Sequence, residues 1–588
     1  MEKPAELQAP RPSSSNLESE TTSPAVSMQE KKAVNLSISS EEDADAAPNA
    51  GNQAAIPTSS ATEGIVPEDV ENTDYVTGYR LALLLFSIAT FFFLLMMDSS
   101  IITTATPQIT SDFHKLQDIG WYSGAYQLTS ATLQPLTGRL YTRVRAKWVL
   151  LFFFFIFEVG SLLCAVSQSS AMFIVGRAVA GMGSSGLQNG AFTVIAGVVP
   201  LEKRPMYMSL MMAFGQTGLI IGPVIGGLFT QYVTWRWCFY INLPLGGLSG
   251  LLLTSLYVPD QTAKPQVSLE LLAKVIPDLD LVGFALFSPA AIMFLLALQF
   301  GSADYGWSSS TVIGLFVGAG VAFPIFLYWE YREGDKAMIP LSMVRKRIVW
   351  LSSLQFAFLV TSVLVGAQYF PIYFQSVKGA GPTLSAVYML PSILTSLVCI
   401  IISGALTTRL GYYLPWAVVA GAATAISAGL MSTWAPDTST GKWVGYQILY
   451  GMRGLGIQAG MVALQNGLPP AQSALGVAFL VFCENFLEAV FAVVSNTIFT
   501  QTLLKTVARF APSVDPQAAL AAGASAEAVR ALVPTGSAEL AGVLQAFADS
   551  FDAVCYMLTA CAGLSFMASW GLGWVDVRKK KEAEKGDA

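Results

Sequence analysis

Apolar stretches of about 20 residues recur along this chain, and they restrict its fold more than any other feature of the sequence. The first begins at Leu81 and continues, with few polar residues, to Asp98. A helix of about 20 residues crosses the roughly 30 Å hydrocarbon layer of a bilayer. Inside that layer only helices and closed barrels satisfy their own backbone hydrogen bonds. The pattern predicts an all-α, polytopic membrane protein embedded in a lipid bilayer.

The composition agrees with a membrane protein. Only 12% of the 588 residues are charged and 53% are hydrophobic, whereas about 25% of a soluble protein is charged. Dividing the chain at polar or Pro/Gly-rich breaks predicts fourteen transmembrane helices. Their expected ranges are 80–105, 119–139, 148–167, 172–199, 207–231, 238–258, 279–300, 309–329, 348–373, 384–406, 412–433, 441–466, 473–502 and 549–574.

The spacing of these segments predicts the domain organisation. We expect a disordered cytoplasmic tail, two six-helix bundles separated by a linker with two extra transmembrane helices, and a second cytoplasmic tail. The first tail is acidic and poor in apolar residues, which disfavours a packed core. Lys and Arg concentrate in the connections on the side of both tails, so both termini are expected inside. The predicted ranges are, in that order, 1–78, 79–258, 259–347, 348–574 and 575–588.

Asp98 is an ionisable group within a predicted membrane helix. A charged side chain costs several kcal/mol in the hydrocarbon layer, so such groups usually face a cavity or a partner. Burial disfavours the charged form of a carboxyl and a nearby cation favours it. A carboxyl with changing surroundings can therefore take up and release a proton. Proton coupling and a structural ion-pair or capping role both remain open for Asp98. Arg177 is the natural cation, and Glu158 is expected to be a structural hydrogen-bonding group.

A second polar group falls in the thirteenth predicted helix. Glu484 and Glu488 are four residues apart and share one helix face, where like charges repel. At least one of them is expected to be protonated or exposed to water. Together with Gln127, Gln188 and Gln216 they are candidates for a substrate cavity. A solvated cavity wall with local hydrogen bonds is the alternative.

Glycines recur every fourth position in "GQTGLIIGPVIGGLF", residues 215–229. Gly218, Gly222 and Gly226 lie on one helix face, where small residues let membrane helices approach closely. Pro223 adds a site for a kink. A general packing seam would explain this spacing as well. A second short segment, "GRLYTRVRAKW" at residues 138–148, is a basic connection at the cytoplasmic end of the second predicted helix.

Taken together, these segments resemble the major facilitator superfamily, in particular its fourteen-helix drug:proton antiporter branch, in the form common among fungal efflux pumps. "MDSSIITTATPQI" resembles the first-helix motif and supplies Asp98, and "FIVGRAVAGMGSSG" resembles the fourth-helix motif and supplies Arg177. "GLIIGPVIGG" resembles the antiporter motif. Its matching residues are Gly218, Gly222, Pro223, Gly226 and Gly227.

The resemblance implies roles for these residues. Arg177 is implied to assist proton transfer near Asp98, and the antiporter motif is implied to seal helix interfaces and bias the direction of transport. The family's cytoplasmic gating loop is matched at Gly138 and Arg143. Thr142 replaces the acidic residue of that loop, which leaves open whether its charge-relay gating is retained.

We therefore predict a proton-coupled efflux transporter, not an enzyme, that exports amphipathic small molecules. The hypothetical cargo, from the resemblance alone, is a fungal secondary metabolite or toxin. The expected partners are protons, a small-molecule substrate and the lipid bilayer, with a monomeric chain in the plasma membrane or, alternatively, the vacuolar membrane. No nucleic-acid partner, cofactor or metal is expected, and no G-x-x-x-x-G-K-[ST] motif for ATP is present. A nutrient-sensing receptor and a uniporter or importer on the same fold are the alternatives.

Overall fold

The computed structural model describes residues 75–115, 118–262, 264–265, 268–302, 306–523, 526–534 and 537–578. Residues 1–74 and 579–588, which make up most of the two predicted tails, lie outside this range. Every regular element in the described part of the chain is helical, which confirms the all-α fold. Eleven of these helices are long and apolar enough to cross a membrane. The total of fourteen membrane helices stays a prediction.

Seven helices form the first group, which we call the first bundle. α1 packs along α5, while α4 packs against both α2 and α3. α4 begins where the Ser169 side chain accepts a hydrogen bond from the Met172 amide, as an N-cap does. The predicted segment 238–258 is divided into two helices and ends earlier. The seven helices are α1 Gly78–Phe113, α2 Ile119–Arg143, α3 Ala146–Ala165, α4 Ser170–Val198, α5 Arg204–Tyr232, α6 Trp237–Tyr240 and α7 Asn242–Ser255.

Four helices lie within the predicted linker, residues 259–347. α9 and α10 pack against each other and occupy the predicted segments 279–300 and 309–329. The first helix of the linker is short, and hydrophobicity alone did not predict it because it cannot span a bilayer. The four are α8 Leu269–Asp278, α9 Leu281–Ser302, α10 Ser310–Glu333 and α11 Leu341–Val344.

The remaining helices form the second group, here called the second bundle, and two of them are short helices in the connection between α17 and α20. α12 packs against α17 and α20, and α14 packs against α20. A π-helical turn, Tyr373–Val377, extends α12. The helices are α12 Arg347–Ile372, α13 Pro382–Leu410, α14 Leu414–Met431, α15 Thr440–Gly451, α16 Ala459–Gly467, α17 Pro470–Phe510, α18 Pro516–Ala522, α19 Ala526–Ala531 and α20 Ala538–Ser569.

The prediction of one helix over 441–466 is wrong. α15 ends at Gly451, a 3₁₀ turn covers Met452–Leu455, and α16 starts at Ala459. Glycine-rich sequence weakens a helix by about 1 kcal/mol per glycine relative to alanine. At Gly454 a side chain would collide with the Ser396 carbonyl of α13. The close approach of these two helices therefore explains both the glycines and the interruption.

The two bundles meet through α2 with α17 and through α5 with α13. In the second of these contacts, Gly404 of α13 lies against Ser209 of α5. Ser209 donates a hydrogen bond to Gln458, whose amide donates to the Ser403 hydroxyl at 2.7 Å. These residues lie near the start of α5 and the end of α13. The bundles are therefore in contact at the end predicted to face the cytoplasm.

Candidate proton-coupling and transport site

Asp98 and Arg177 form an ion pair in the first bundle. Arg177 Nη1 lies 2.7 Å from Asp98 Oδ2, and the two side chains are 1% and 0% exposed. α1 and α4 supply the two charges, as the family motifs imply. Arg177 Nε also donates to the Tyr122 carbonyl at 2.9 Å, and its guanidinium lies 4.4 Å from the centre of the Tyr126 ring. The cation is thus held from three sides.

Asn242 is a third member of this group and was not among the predicted site residues. Its amide nitrogen lies 3.4 Å from Asp98 Oδ1 and 3.1 Å from Ser161 Oγ. Asn242 is the first residue of α7 and lies within "WRWCFYINLPLGG". A lone asparagine in that apolar segment was the available signal. It binds the carboxylate oxygen opposite to the one that Arg177 binds.

The structure brings four of the five predicted cavity residues into two hydrogen-bonded pairs. Gln188 of α4 donates to Glu484 Oε2 at 3.1 Å, and Gln127 of α2 donates to Glu488 Oε1 at 3.1 Å. Both glutamates belong to α17, so both hydrogen bonds join the first bundle to the second. Each carboxyl has its own amide donor from the opposite bundle, and they lie one helical turn apart.

Gln216 does not join these pairs. It is half-buried on α5, and within the described part of the chain its side chain makes no hydrogen bond. Its helix faces α1 through the neighbouring glycines Gly215 and Gly218. Gln216 could not be distinguished from Gln127 and Gln188 by sequence, because the sequence does not show which glutamines lie opposite a glutamate of α17.

The antiporter-motif glycines pack against the backbone of α1. A side chain at Gly218 would lie 2.5 Å from the Phe93 carbonyl, one at Gly222 would reach Ser100, and one at Gly226 would reach Thr104. Ser100 also donates to the Gly218 carbonyl at 3.4 Å. The three glycines therefore form the α1–α5 contact along the helix that carries Asp98.

Two other residues of the motif do not take part in this contact in the same way. Gly227 has no atom within 4 Å of the position that a side chain would take, so it faces open space. Pro223 lies inside α5, which continues through it from Arg204 to Tyr232. Only the glycines on the α1 side are required by packing.

Both predicted gating residues lie at the end of α2. A methyl group at Gly138 would lie 2.5 Å from the Ala478 side chain and 3.3 Å from the Leu475 Cα of α17. Arg143 Nη2 lies 3.5 Å from Asp278 Oδ2, and both side chains are about half exposed. The end of α2 thus contacts the second bundle at Gly138 and the linker at Arg143.

An acidic residue from outside the motif binds the connection between α2 and α3. Asp260, which follows α7, accepts hydrogen bonds at 2.9 Å from the Ala146 amide at the start of α3 and from Lys264 Nζ. Lys264 also donates to the Tyr141 carbonyl at 2.7 Å. The side chains of Asp260 and Lys264 are less than 10% exposed. The connection between α2 and α3 is therefore fixed by the linker rather than by Thr142.

Arg453 is a buried cation in the second bundle. It lies in the 3₁₀ turn between α15 and α16, donates to the Tyr450 carbonyl at 3.2 Å, and lies 4.4 Å from the Tyr450 ring centre. Its Nε has no hydrogen-bond partner within the described residues, and none of their carboxylates pairs with it. This arginine is thus stabilised by a ring and one carbonyl, without a counter-ion.

Membrane-length helices around a buried carboxylate–guanidinium pair define a polytopic helical transporter. The chain matches the family model of the Major Facilitator Superfamily over residues 88–492. It therefore belongs to the major facilitator superfamily.

Comparison with individual proteins gives the same family. The chain is 54% identical over 515 residues to the MFS-type transporter calB of Penicillium decumbens, covering 87% of this chain and 92% of that protein. It is 43% identical to the efflux pump mokI of Monascus pilosus, covering 85% and 93%. Among solved structures, the proton:xylose symporter XylE bound to 6-bromo-6-deoxy-D-glucose aligns with a TM-score of 0.57 at 12% identity, covering 86% and 99%. The last comparison concerns the fold. The chain is a transporter and not an enzyme.

Proposed function

We propose that this protein exports an amphipathic small molecule in exchange for protons, with Asp98 as the group that takes up the proton. The observation that carries this proposal is the fully buried Asp98–Arg177 pair at 2.7 Å. A buried carboxylate can accept a proton only by giving up its ion pair, which leaves the arginine without its partner. Proton uptake at Asp98 therefore changes the forces between α1 and α4.

The names of relatives support export as the direction. mokI of Monascus pilosus, at 43% identity, and mlcE of Penicillium citrinum, at 44% identity, are both named efflux pumps. A cargo of the fungal secondary-metabolite or toxin class fits this proposal. We place the protein, as a monomer, in the plasma membrane, with the vacuolar membrane as the alternative. Metabolite profiling of the medium of a deletion strain would identify the cargo.

The polar pairs between the bundles are the proposed substrate site. Gln127, Gln188, Glu484 and Glu488 offer carboxyl and amide groups at the interface between the two bundles, as ligand sites in transporters do. When the bundles separate, each of these four side chains loses its hydrogen-bond partner across the interface. A polar group of the cargo can then replace it.

The end of α2 is the proposed cytoplasmic gate. Gly138 lets α2 and α17 touch without an intervening side chain, and Asp260 fixes the following connection. Opening toward the cytoplasm requires α2 and α17 to part here. The α1–α5 glycine contact keeps Asp98 in position while this happens.

The test compares Asp98→Asn with Asp112→Asn in energised proteoliposomes, with rhodamine 6G as the probe. Asp112 is the matched control because it lies on the same helix but is about one-third exposed and pairs with Arg236 at 3.7 Å. We expect Asp98→Asn to lower proton-driven efflux at least tenfold, while Asp112→Asn retains most of it. Unaltered proton-driven efflux in Asp98→Asn would remove Asp98 from the coupling step. If the wild-type protein moves rhodamine 6G at the same rate with and without a pH gradient, a uniporter is favoured.

A further inference from the structure

Glu158 is a second acidic residue in the first bundle, and its surroundings are unlike those of a structural hydrogen-bonding group. Both of its carboxyl oxygens are buried and lack a hydrogen-bond partner in the described part of the chain. The expectation that Glu158 makes structural hydrogen bonds is therefore wrong. A buried polar group without a partner is rare in proteins and calls for a functional or solvent explanation.

The carboxyl of Glu158 occupies a space between α3 and α7. A side chain at Gly246 of α7 would collide with Glu158 Oε1. The same hypothetical side chain would lie 2.6 Å from the Phe154 ring, one helical turn earlier on α3. The absence of a side chain at Gly246 is thus what leaves room for the carboxyl.

This carboxyl lies one helical turn from the hydrogen-bonded group around Asp98. Ser161 follows Glu158 by three residues on α3, and Asn242 precedes Gly246 by four residues on α7, which corresponds to about 5 Å along each helix. The Asn242 amide nitrogen connects Ser161 Oγ with Asp98 Oδ1. Asn242 Oδ1 is itself buried without a partner within the described residues. Two acids thus flank one polar cluster.

Few charges act on Glu158. On α1 the nearest is Asp98, whose field reaches the carboxyl, while Arg177 of α4 is bound to Asp98. Lys147 lies eleven residues earlier on α3, where its ammonium donates to the carbonyls of Thr254 and Leu256. Glu158 therefore has no cation to balance it among the described residues. A buried carboxylate without a cation or a hydrogen-bond donor carries a large desolvation cost.

We propose that Glu158 is a second proton carrier, which holds the proton while Asp98 is paired with Arg177. This inference rests on the proposed function of Asp98. In the transfer, the neutral Asp98 carboxyl releases its proton, and the Glu158 carboxylate, one helical turn from the Asp98 group, binds that proton. The products are the Asp98 carboxylate, which pairs with Arg177, and neutral Glu158. The total charge is unchanged.

The direction of this transfer agrees with the predicted topology. Along α3, which begins at the end predicted to face the cytoplasm, Glu158 precedes Ser161. Along α7, which runs the opposite way, Gly246 follows Asn242. Both helices thus place Glu158 nearer to the cytoplasm than Asp98 is, as inward proton movement requires.

The first test needs no cargo. Infrared spectra of the purified full-length protein at neutral pH should contain a C=O band from a protonated carboxyl without a hydrogen bond. We expect Glu158→Gln to lose that band and Glu488→Gln to keep it, because the Glu488 carboxyl accepts a hydrogen bond from Gln127. Glu158→Gln should melt within a few degrees of the wild-type protein, because no hydrogen bond is lost. A band that is unchanged in Glu158→Gln would overturn the inference.

The second test separates this inference from the proposed function. In proteoliposomes we expect Glu158→Gln to lower proton movement linked to rhodamine 6G at least tenfold, and Glu158→Asp to restore part of it. Loss of coupling in Asp98→Asn together with wild-type coupling in Glu158→Gln would overturn the role of Glu158 alone. Wild-type coupling in Asp98→Asn would overturn the proposed function itself. A large loss of stability in both Glu158→Gln and Glu158→Met would show a structural role instead.

Discussion

Each bundle buries an arginine among its helices, but the surroundings of the two arginines differ. In the first bundle Arg177 belongs to a continuous helix and binds Asp98 at 2.7 Å. In the second bundle Arg453 lies in a 3₁₀ interruption, and in the described part of the chain it has a ring and a carbonyl for partners. Two acids of the second bundle, Glu484 and Glu488, lie on α17, where they bind amides of the first bundle.

This difference indicates that the polar sites of the two bundles have different roles. The first holds both charges of its site within one bundle, so a proton there changes packing between its own helices. The second has Glu484 and Glu488 at the interface, so their hydrogen bonds depend on the relative position of the two bundles. We expect substitutions in the first site to affect stability most, and substitutions at the interface to affect the contact between bundles.

The largest expected effect is a difference in stability between variants of the two arginines. Arg177→Met leaves Asp98 buried without its cation, and breaking a buried ion pair costs about 3–5 kcal/mol. Arg453→Met removes an unpaired buried charge, so the lost ring contact is offset and the change should be about 1 kcal/mol or less. Denaturant unfolding in detergent measures both values. Equal losses of unfolding free energy in the two variants would show that the different partners of the two arginines do not affect stability.

The next effect concerns the glycines that position Asp98. Gly222→Ala forces a methyl group against Ser100 and the α1 backbone, and overpacking of this kind costs about 1–3 kcal/mol. Gly227→Ala is the matched control, because no atom lies within 4 Å of the new methyl group. It should be neutral or stabilise α5 by up to about 1 kcal/mol. Thermal melts of the two variants provide the comparison, and a larger loss at Gly227 would refute the α1–α5 packing described above.

A smaller effect is expected for the hydrogen bonds between the bundles. Gln188→Leu leaves a buried Glu484 oxygen without its donor, at a cost of about 1–3 kcal/mol. Glu484→Gln can still accept from Gln188 through its amide oxygen and should change stability by less than about 1 kcal/mol. Spin labels at the exposed residues Lys203 and Leu410, on facing ends of α5 and α13, measure whether the bundles part. A label distance that stays at the wild-type value in Gln188→Leu would contradict a role in holding them together.

The smallest effect should come from the exposed end of α2. The ion pair of Arg143 with Asp278 is half exposed, and such pairs contribute about 0–1 kcal/mol. Arg143→Ala should therefore change the unfolding free energy by about 0.5 kcal/mol at most. Gly138→Val, five residues earlier, should instead increase the distance between the Lys203 and Leu410 labels, because it meets α17 directly. If Arg143→Ala has the larger effect, the gate depends on charge rather than on close contact.

The sequence predicted the helical class because the length of an apolar segment that spans the membrane depends only on the thickness of the bilayer. It also identified Asp98 and Arg177 as charges that need partners. It did not identify Asn242, because one asparagine in an apolar segment can face lipid, water or a partner. The interruption at Met452–Leu455 was missed for a related reason. Hydrophobicity reports what a residue prefers to contact, not how closely another backbone approaches it.

Glu158 shows the same limit of prediction from sequence, here for a partner that was expected and is absent among the described residues. Its type and position suggested hydrogen bonds, yet the structure places it where none of the described residues donates one. Partners of a buried acid come from helices that are distant in sequence. The pairs of Gln127 with Glu488 and Gln188 with Glu484 join residues about 300 or more positions apart. Only the packing of helices from both bundles reveals such pairs.

α17 is a single helix of 41 residues, and at 1.5 Å per residue it is about 60 Å long, twice the thickness of the hydrocarbon layer. Its first turns touch Gly138, its middle carries Glu484 and Glu488, and near its far end Thr506 binds the Ala546 carbonyl at 3.3 Å. If α17 moves as one unit during the proposed transport cycle, a displacement at one end also shifts the other end. We therefore expect the contacts at its two ends to change together.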